Sequence, residues 1–352
     1  MRTLVLDTAA IRSNINVIKE RADKALIYAV LAGDGYGAGA VELARVLRDN
    51  GINRFAVTEV ADAAALRKAG LVDEELLMLR STTDRKELEK LLELSVVCTI
   101  GSYETGVALN ALAEERSTIA EAHVRIDTGM GFGGFLTSEP EKLLSIYQYL
   151  PNVAICGTYT QFHSAGGGVD VQLHRFKEAL EQINAAGFET GIRHAAGSSV
   201  LMSGRTIELD AVRVGSAFLG RCKRTRGDKL QTVGKAEVTL DEIRWLPKGH
   251  TVGNETLVTL QKPTRVAVLA VGYRNGFGIR HLREPGIWAA IRAWWADQRR
   301  TVRINKQRAK VLGRVGAMET VVDITNLTCS VGDVAVFEMD PMFARGMKRE
   351  YR

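Results

Sequence analysis

The sequence has no long uninterrupted run of apolar residues. No segment approaches the ~20 apolar residues that a membrane-spanning helix needs, and Arg2, Asp7 and Arg12 interrupt the stretch where a secretory signal would lie. The share of hydrophobic residues, 46% against 25% charged residues, is typical of a globular protein with a large core. We therefore expect a cytoplasmic protein without a membrane span.

Cysteine and histidine are scarce, and the excess of positive charge is small. The six histidines and four cysteines show no metal-ligand spacing, and the absence of a CxxC pair argues against both a disulfide framework and a structural zinc site. The 47 basic residues are scattered among 41 acidic ones, which argues against a nucleic-acid-binding surface. We predict no metal site and no nucleic-acid partner. The cysteines, expected to be reduced thiols, are Cys98, Cys156, Cys222 and Cys329.

From residue 26 to about residue 215, short apolar runs alternate with amphipathic stretches. This alternation predicts parallel strands connected by helices. Eight such runs are present, the number that a closed (β/α)8 barrel requires, and we predict a TIM-type barrel over residues 1–222. The predicted strands are 25–31, 54–58, 76–79, 95–100, 122–127, 153–159, 191–195 and 211–215.

After Gly220 the pattern changes to Thr- and Val-rich runs that alternate in hydrophobicity, for example 265–271 and 334–337. This pattern predicts a mainly antiparallel β C-terminal domain over residues 223–352. The exception is 284–300, where apolar residues at helical spacing predict an amphipathic helix packed against the sheet or a partner chain.

Glycine and serine residues directly follow the last two predicted barrel strands. Strand seven is followed by Gly197 and Ser198, and strand eight leads to Gly215 and Ser216. In a barrel the active site lies at the carboxyl ends of the strands, where backbone N–H groups and hydroxyls after strands seven and eight bind phosphate. The sequence therefore indicates a phosphorylated ligand.

The chain resembles the alanine racemase family over nearly its whole length. Several family motifs occur in this chain in the family's order. The family's Ala-Val-Val-Lys-Ala-Asn-Ala-Tyr-Gly-His-Gly is similar to 29–39, Lys-Ile-Asp-Thr-Gly-Met-Gly-Arg to 125–132, His-x-Ala-Asn-Ser to 194–198, Val-Arg-Pro-Gly to 212–215, Gly-Tyr-Ala-Asp-Gly to 272–276, Gly-Arg-Val-Cys-Met-Asp to 313–318, and the terminal Arg-x-Tyr to 349–351.

The resemblance implies a two-base amino-acid racemase that uses pyridoxal 5'-phosphate (PLP). Arg213 would face the pyridine nitrogen and, being cationic, would keep it unprotonated. Tyr273 would be the base that removes the α-proton of the L-amino acid. In the family a partner subunit supplies this tyrosine, so a homodimer with active sites at the subunit interface is implied. The residues that would hold the cofactor phosphate are Tyr36, Ser198, Gly215, Ser216 and Tyr351.

The departures from the family pattern concern catalysis and the substrate. Ala32 stands where the family has its Schiff-base lysine, which is also the base on the D-face. Because a methyl group can neither bind PLP covalently nor move a proton, we predict that racemisation is lost. The changes near the substrate predict an amino acid larger than alanine or of different charge. They are Phe132 for an arginine, Arg125 for the lysine paired with it, Gln161 for the histidine stacked on the cofactor ring, and Ala317-Met318 for the Met-Asp loop.

Three functions remain compatible with the sequence. The intact remainder of the motifs favours a racemase in which one lysine has been replaced, by engineering or naturally. The second is a non-catalytic protein that binds PLP or a PLP–amino-acid adduct. The third is an aldolase or a decarboxylase on the same barrel. The metal ligands that the aldolases have late in the chain are not evident in this sequence, and neither is the cysteine–aspartate pair that the decarboxylases have in the second domain.

Overall fold

The computed structural model describes residues 1–163, 168–205, 207–222, 229–253, 258–279 and 286–352. No helix in these ranges is long and apolar enough to cross a membrane. The described chain forms two compact units, one of Ala9–Thr232 and one of Met1–Thr8 with Val233–Arg352.

Strands and helices are numbered separately, each in chain order. The strands are β1 (Arg2–Leu6), β2 (Leu26–Val30), β3 (Arg54–Val57), β4 (Glu75–Met78), β5 (Cys98–Ile100), β6 (Ala120–Asp127), β7 (Phe135–Leu136), β8 (Val153–Tyr159), β9 (Ile192–Gly197), β10 (Ala211–Val214), β11 (Lys235–Leu246), β12 (Thr251–Val252), β13 (Val258–Thr259), β14 (Thr264–Leu269), β15 (Thr301–Ile304), β16 (Gln307–Val311), β17 (Thr320–Asp323), β18 (Val334–Glu338) and β19 (Lys348–Tyr351). The helices are α1 (Thr8–Ala22), α2 (Ala32–Tyr36), α3 (Ala40–Arg48), α4 (Val60–Lys68), α5 (Arg85–Glu93), α6 (Tyr103–Glu115), α7 (Pro140–Tyr149), α8 (Gly168–Ala185), α9 (Ser198–Leu201) and α10 (Ile287–Gln298), with short 3-10 helices at Ser216–Leu219, Tyr273–Asn275 and Pro341–Phe343.

The unit Ala9–Thr232 is a closed parallel barrel. Its strand order is β4-β3-β2-β10-β9-β8-β6-β5, and hydrogen bonds from Met78 N and Val97 N across β4 and β5 close the ring. The eight barrel strands are those predicted from the apolar runs. The predicted (β/α)8 barrel is therefore confirmed.

Local sequence explains why the barrel helices form where they do. Helix α3 buries Ala40, Leu43, Ala44 and Leu47, which recur at helical spacing on one face. Helix α6 starts at Ser102, whose hydroxyl accepts the N–H of Thr105 in a capping box. Such caps satisfy N–H groups at the first turn, which have no partner within the helix.

The second unit is an antiparallel β-structure built around the long strand β11. Strand β11 pairs with β1, β14 and β18, all antiparallel, and its contact with β14 closes the path β14-β17-β16-β15-β18-β11. The parallel pair of β1 with β19 is the exception. The predicted antiparallel β-domain is confirmed. Its sheet also includes β1, from the amino-terminal end of the chain.

The structure differs from the sequence prediction at two places in this unit. The prediction places residues 1–8 in the barrel, but β1 pairs with β11 and β19, whose positions no local pattern reveals. The predicted helix 284–300 corresponds to α10, and residues 284 and 285 lie outside the described residues. Trp288, Trp294 and Trp295 are more than half exposed in the single chain, so these side chains are not buried against the sheet, and the packing of α10 against a partner chain stays a prediction.

Candidate active site

Six of the predicted site residues line one cavity of about 220 Å³ in the barrel unit. They come from segments at or just beyond the carboxyl ends of β2, β8, β9 and β10, where barrel proteins bind their ligands. The described residues that line this cavity include no acidic side chain, so its one charged group is a cation. The six residues are Tyr36, Gln161, Ser198, Arg213, Gly215 and Ser216.

Tyr36 reaches the cavity from an uncommon left-handed turn. Residues 33–37, which overlap α2, have φ values between 55° and 79°. Each non-glycine residue in this conformation costs about 1–2 kcal/mol, so the glycines around Tyr36 lower the cost of the turn. Asp34 Oδ1 accepts the N–H of Ala40 at 2.8 Å and fixes the exit from the turn. Burial raises the pKa of Tyr36, so its hydroxyl stays protonated and can donate a hydrogen bond to an anion.

Ser198 and Gly215 bring the ends of β9 and β10 together. The Ser198 hydroxyl accepts the N–H of Gly215 at 3.0 Å and that of Ala217 at 3.4 Å. A Cβ atom at Gly215 would lie 2.6 Å from Tyr36 Cζ and nearer still to its hydroxyl oxygen. Glycine is therefore required at position 215, because the Tyr36 ring approaches it so closely. Ser198, Ser216 and Gly215 line the cavity together with the Tyr36 ring, and these four residues are called the cradle below.

Arg213 is held rigidly beneath the cradle, with only 3% of its surface exposed. Its Nη1 donates to His194 Nδ1 at 2.6 Å and its Nη2 to Gln161 Oε1 at 2.8 Å and Thr160 O at 2.6 Å. The guanidinium lies 4.8 Å from the centroid of the Tyr159 ring. Burial lowers the pKa of Arg213 to about 10, so it remains a cation at neutral pH.

Position 32 adjoins an apolar cluster inside the barrel. The cluster includes Tyr28, Val30 and Leu77, and Ala32 packs against it from the start of α2. Arg213 and the buried histidines of β6 and β9 form a polar group in the same barrel.

The other predicted site residues lie in the second unit. Tyr273 is 46% exposed and lines a cavity of about 390 Å³ with Trp294 and Arg314, among others. Its N–H donates to Gly316 O at 2.9 Å, and Arg274 N donates to Ala317 O at 3.1 Å. The structure therefore brings Tyr273 beside the predicted substrate loop, which continues into the exposed Met318. Tyr351 ends β19, next to β1.

The structure does not bring every predicted residue to the barrel cavity. Phe132 is 69% exposed and does not line it. Asp127 organises this loop, because its Oδ1 accepts the N–H groups of Gly129 and Met130 at 2.8 and 2.9 Å. Arg125 is half-buried on β6. Sequence reasoning missed His123, although the polar residues at positions 123, 125 and 127, alternating with apolar ones, indicate an inward-facing polar row.

The two family models for alanine racemases cover most of the chain. The model of the N-terminal domain matches residues 6–222, and that of the C-terminal domain matches residues 233–343. The chain belongs to the alanine racemase family. Alanine racemase of Carboxydothermus hydrogenoformans is 31% identical over 313 residues, which cover 87% of this chain and 80% of that protein. Alanine racemase of Methylacidiphilum infernorum is 30% identical and covers 94% and 81%.

Solved alanine racemases share the fold. That of Clostridium difficile 630 superposes with a TM-score of 0.85 at 23% identity, covering 99% of this chain and 95% of its own. That of Bartonella henselae, solved with covalently bound pyridoxal phosphate, gives a TM-score of 0.81 at 20% identity, with coverage of 100% and 99%. The sequence resemblance to the alanine racemase family is confirmed.

Within this alanine racemase fold, position 32 lies at the start of α2, just after β2, and carries alanine. The described residues that line the barrel cavity include no lysine. None of these described side chains therefore carries a primary amine.

Proposed function

We propose that this member of the alanine racemase family binds PLP in the barrel cavity and has lost racemisation because residue 32 is alanine. The observation that carries the proposal is the cradle formed by Tyr36, Ser198, Gly215 and Ser216 above the cationic Arg213. Its hydroxyls and N–H groups suit a phosphate, and the guanidinium suits a ring nitrogen that stays unprotonated. A protonated Tyr36 hydroxyl adds a donor to the phosphate.

When bound, PLP supplies an electron-withdrawing ring that makes the α-proton of an attached amino acid more acidic. The residues of this chain then have separate tasks. Arg213 would face the ring nitrogen as a cation, because its pKa of about 10 keeps the guanidinium protonated at neutral pH. Tyr273 removes or returns the α-proton on the L-face. With Ala32 in place of the family's lysine, the base that this lysine would supply on the other face is gone, so we expect the configuration to be retained.

The substrate and the assembly form further parts of the proposal. Phe132 and the pair Ala317-Met318 replace a cation and an acid of the family pattern, which favours an amino acid larger than alanine or of different charge. We propose a cytoplasmic homodimer in which Tyr273 serves the barrel of the partner subunit. Tyr351 completes the phosphate site.

A lysine variant tests this proposal. Ala32→Lys should retain PLP through desalting and should convert at least one L-amino acid to its D-isomer, because it restores both the covalent attachment and the second base. Ala32→Met is the matched control, since it has a similar length and no amine. The unchanged protein should bind PLP reversibly and produce no D-isomer.

The outcomes distinguish the competing functions. A PLP-loaded Ala32→Lys protein that is inert toward all amino acids would contradict a racemase origin and favour a binding protein. Aldehyde or amine products from the same variant would instead indicate an aldolase or a decarboxylase. Failure of the unchanged protein and of Ala32→Lys to bind PLP would refute the proposal as a whole.

A further inference from the structure

Three buried side chains inside the barrel form a hydrogen-bonded chain. Arg213 Nη1 lies 2.6 Å from His194 Nδ1, and His194 Nε2 lies 2.9 Å from His123 Nδ1. These residues belong to β10, β9 and β6, so the chain of contacts links three strands. His194 and His123 are 0% and 1% exposed, respectively.

The chemistry of arginine fixes the direction of every hydrogen bond in this chain. A guanidinium can only donate, so His194 Nδ1 must accept and the proton of His194 must be on Nε2. That proton is donated to His123 Nδ1, which leaves the proton of His123 on its own Nε2. Both imidazoles must then be neutral. Burial and the nearby charge of Arg213 agree, because they lower the pKa of His123 to about 4 and that of His194 well below its ordinary value.

The last group of the chain has no hydrogen-bond partner among the described residues. His123 Nε2 is buried and unpaired, and it faces Gly157, where a Cβ atom would lie only 2.6 Å away. A buried unpaired donor destabilises a protein. The unpaired Nε2 of His123 therefore does not explain why a histidine is present at this position. Its Nδ1 does, because it accepts the proton of His194 Nε2.

We propose that His123 is a positioning residue that accepts the Nε2 proton of His194 and so holds Arg213 in place beneath the ligand cavity. Without this acceptor, the proton that Arg213 forces onto His194 Nε2 would be buried and unpaired. The His194 ring would be free to tilt away from its place between Tyr28 and Tyr159, on which it stacks at 5.2 and 4.9 Å. Arg213 would then lose the hydrogen bond from its Nη1 to His194 Nδ1.

The role toward the ligand rests on the proposed PLP site, whereas the hydrogen-bond chain does not. The chain is tested first in the ligand-free protein by nitrogen-15 NMR of the imidazoles. We expect His123 and His194 to be neutral Nε2–H tautomers that do not titrate between pH 5.5 and pH 8. His174, which is exposed beside Glu178, gives the resonances of a solvent-exposed imidazole for comparison. A protonated His194, or an Nδ1–H tautomer of it, would overturn the proposal.

The positioning role is tested with two variants and a PLP fluorescence titration. His123→Leu removes the acceptor and should weaken PLP binding about two- to tenfold, the loss expected for one hydrogen bond. His123→Gln can accept through Oε1 and should restore most of the affinity and the His194 tautomer. A folded His123→Leu protein with unchanged affinity and unchanged His194 resonances would refute the role. If the unchanged protein bound no PLP, the proposed function would fail, while the NMR result would still decide the hydrogen-bond chain.

Discussion

Gly215→Ala should disrupt the phosphate cradle by displacing Tyr36. The added Cβ would lie 2.6 Å from Tyr36 Cζ, well inside normal contact, so the ring must move. Gly215 does not lie in the left-handed region, since its φ is −135°, and the expected cost therefore comes from the contact with the Tyr36 ring. Overpacking of this kind costs typically 1–3 kcal/mol, which corresponds to a fall in Tm of roughly 2 to 12 °C for a unit of this size.

Ligand binding should suffer more than stability does. Displacement of Tyr36 removes the hydrogen bond between its hydroxyl and a charged phosphate, which contributes about 1.5–3 kcal/mol. PLP affinity, measured by fluorescence titration, should therefore fall about ten- to hundredfold. Gly286→Ala is the control, because Gly286 has φ 172° and a Cβ added there would meet none of the described atoms within 4 Å. Tm and affinity should be unchanged in that variant.

A double-mutant cycle isolates the contact. If the Tyr36 ring causes the cost of Gly215→Ala, that cost should largely disappear in a Tyr36→Ala background, with a coupling free energy of about 1 kcal/mol or more. Calorimetry of the four proteins gives the cycle. An equal cost in both backgrounds would show that another contact of Gly215 is responsible and would refute the steric argument.

Tyr273→Phe, made in the Ala32→Lys background, should lower kcat for racemisation about 10²- to 10⁴-fold because the L-face base is lost; steady-state rates with unchanged kcat would rule out this role. Asp210→Asn should reduce stability by roughly 0.5 kcal/mol at pH 7, because Asp210 pairs with the half-exposed Arg193 at 2.7 Å. That pairing lowers the pKa of Asp210, so its contribution is present above the ordinary pKa and disappears on acidification through the lowered one. Urea unfolding at a series of pH values from 7 downward should show this loss, and a difference between the two proteins that does not decrease on acidification would contradict it. The protein should sediment as a dimer at micromolar concentration, and a monomer would count against the proposed shared site.

The barrel could be predicted because its signal is local. Most of the barrel strands are short, largely apolar and largely buried runs, and the glycines and serines that follow the last two mark the carboxyl ends. The cradle residues Ser198 and Gly215 follow from these signals, and Tyr36 from the motif after the first barrel strand. Their actual contact depends on the left-handed turn at 33–37, which the row of glycines allows but does not specify.

The features that escaped sequence reasoning depend on distant partners. Strand β1 is as apolar as a barrel strand, and only its pairing with β11 and β19 assigns it to the other unit. His123 is one histidine in a buried strand, and its importance arises from the position of His194, 71 residues further along the chain. The family resemblance predicts Phe132 beside the substrate, yet the loop organised by Asp127 leaves it exposed.

The arrangement of the barrel separates binding from catalysis residue by residue. The side-chain hydrogen bonds of Arg213 involve His194, Gln161 and the backbone of β9 and of the residue after β8, and none of those described involves β2 or α2. Ala32 instead packs against the apolar cluster that includes Tyr28, Val30 and Leu77. On the proposed function, replacement of a lysine at position 32 removes covalent attachment and one base without disturbing the cation below the cradle. A protein that only binds PLP needs no amine at position 32, so the proposed loss of racemisation is compatible with a retained cradle.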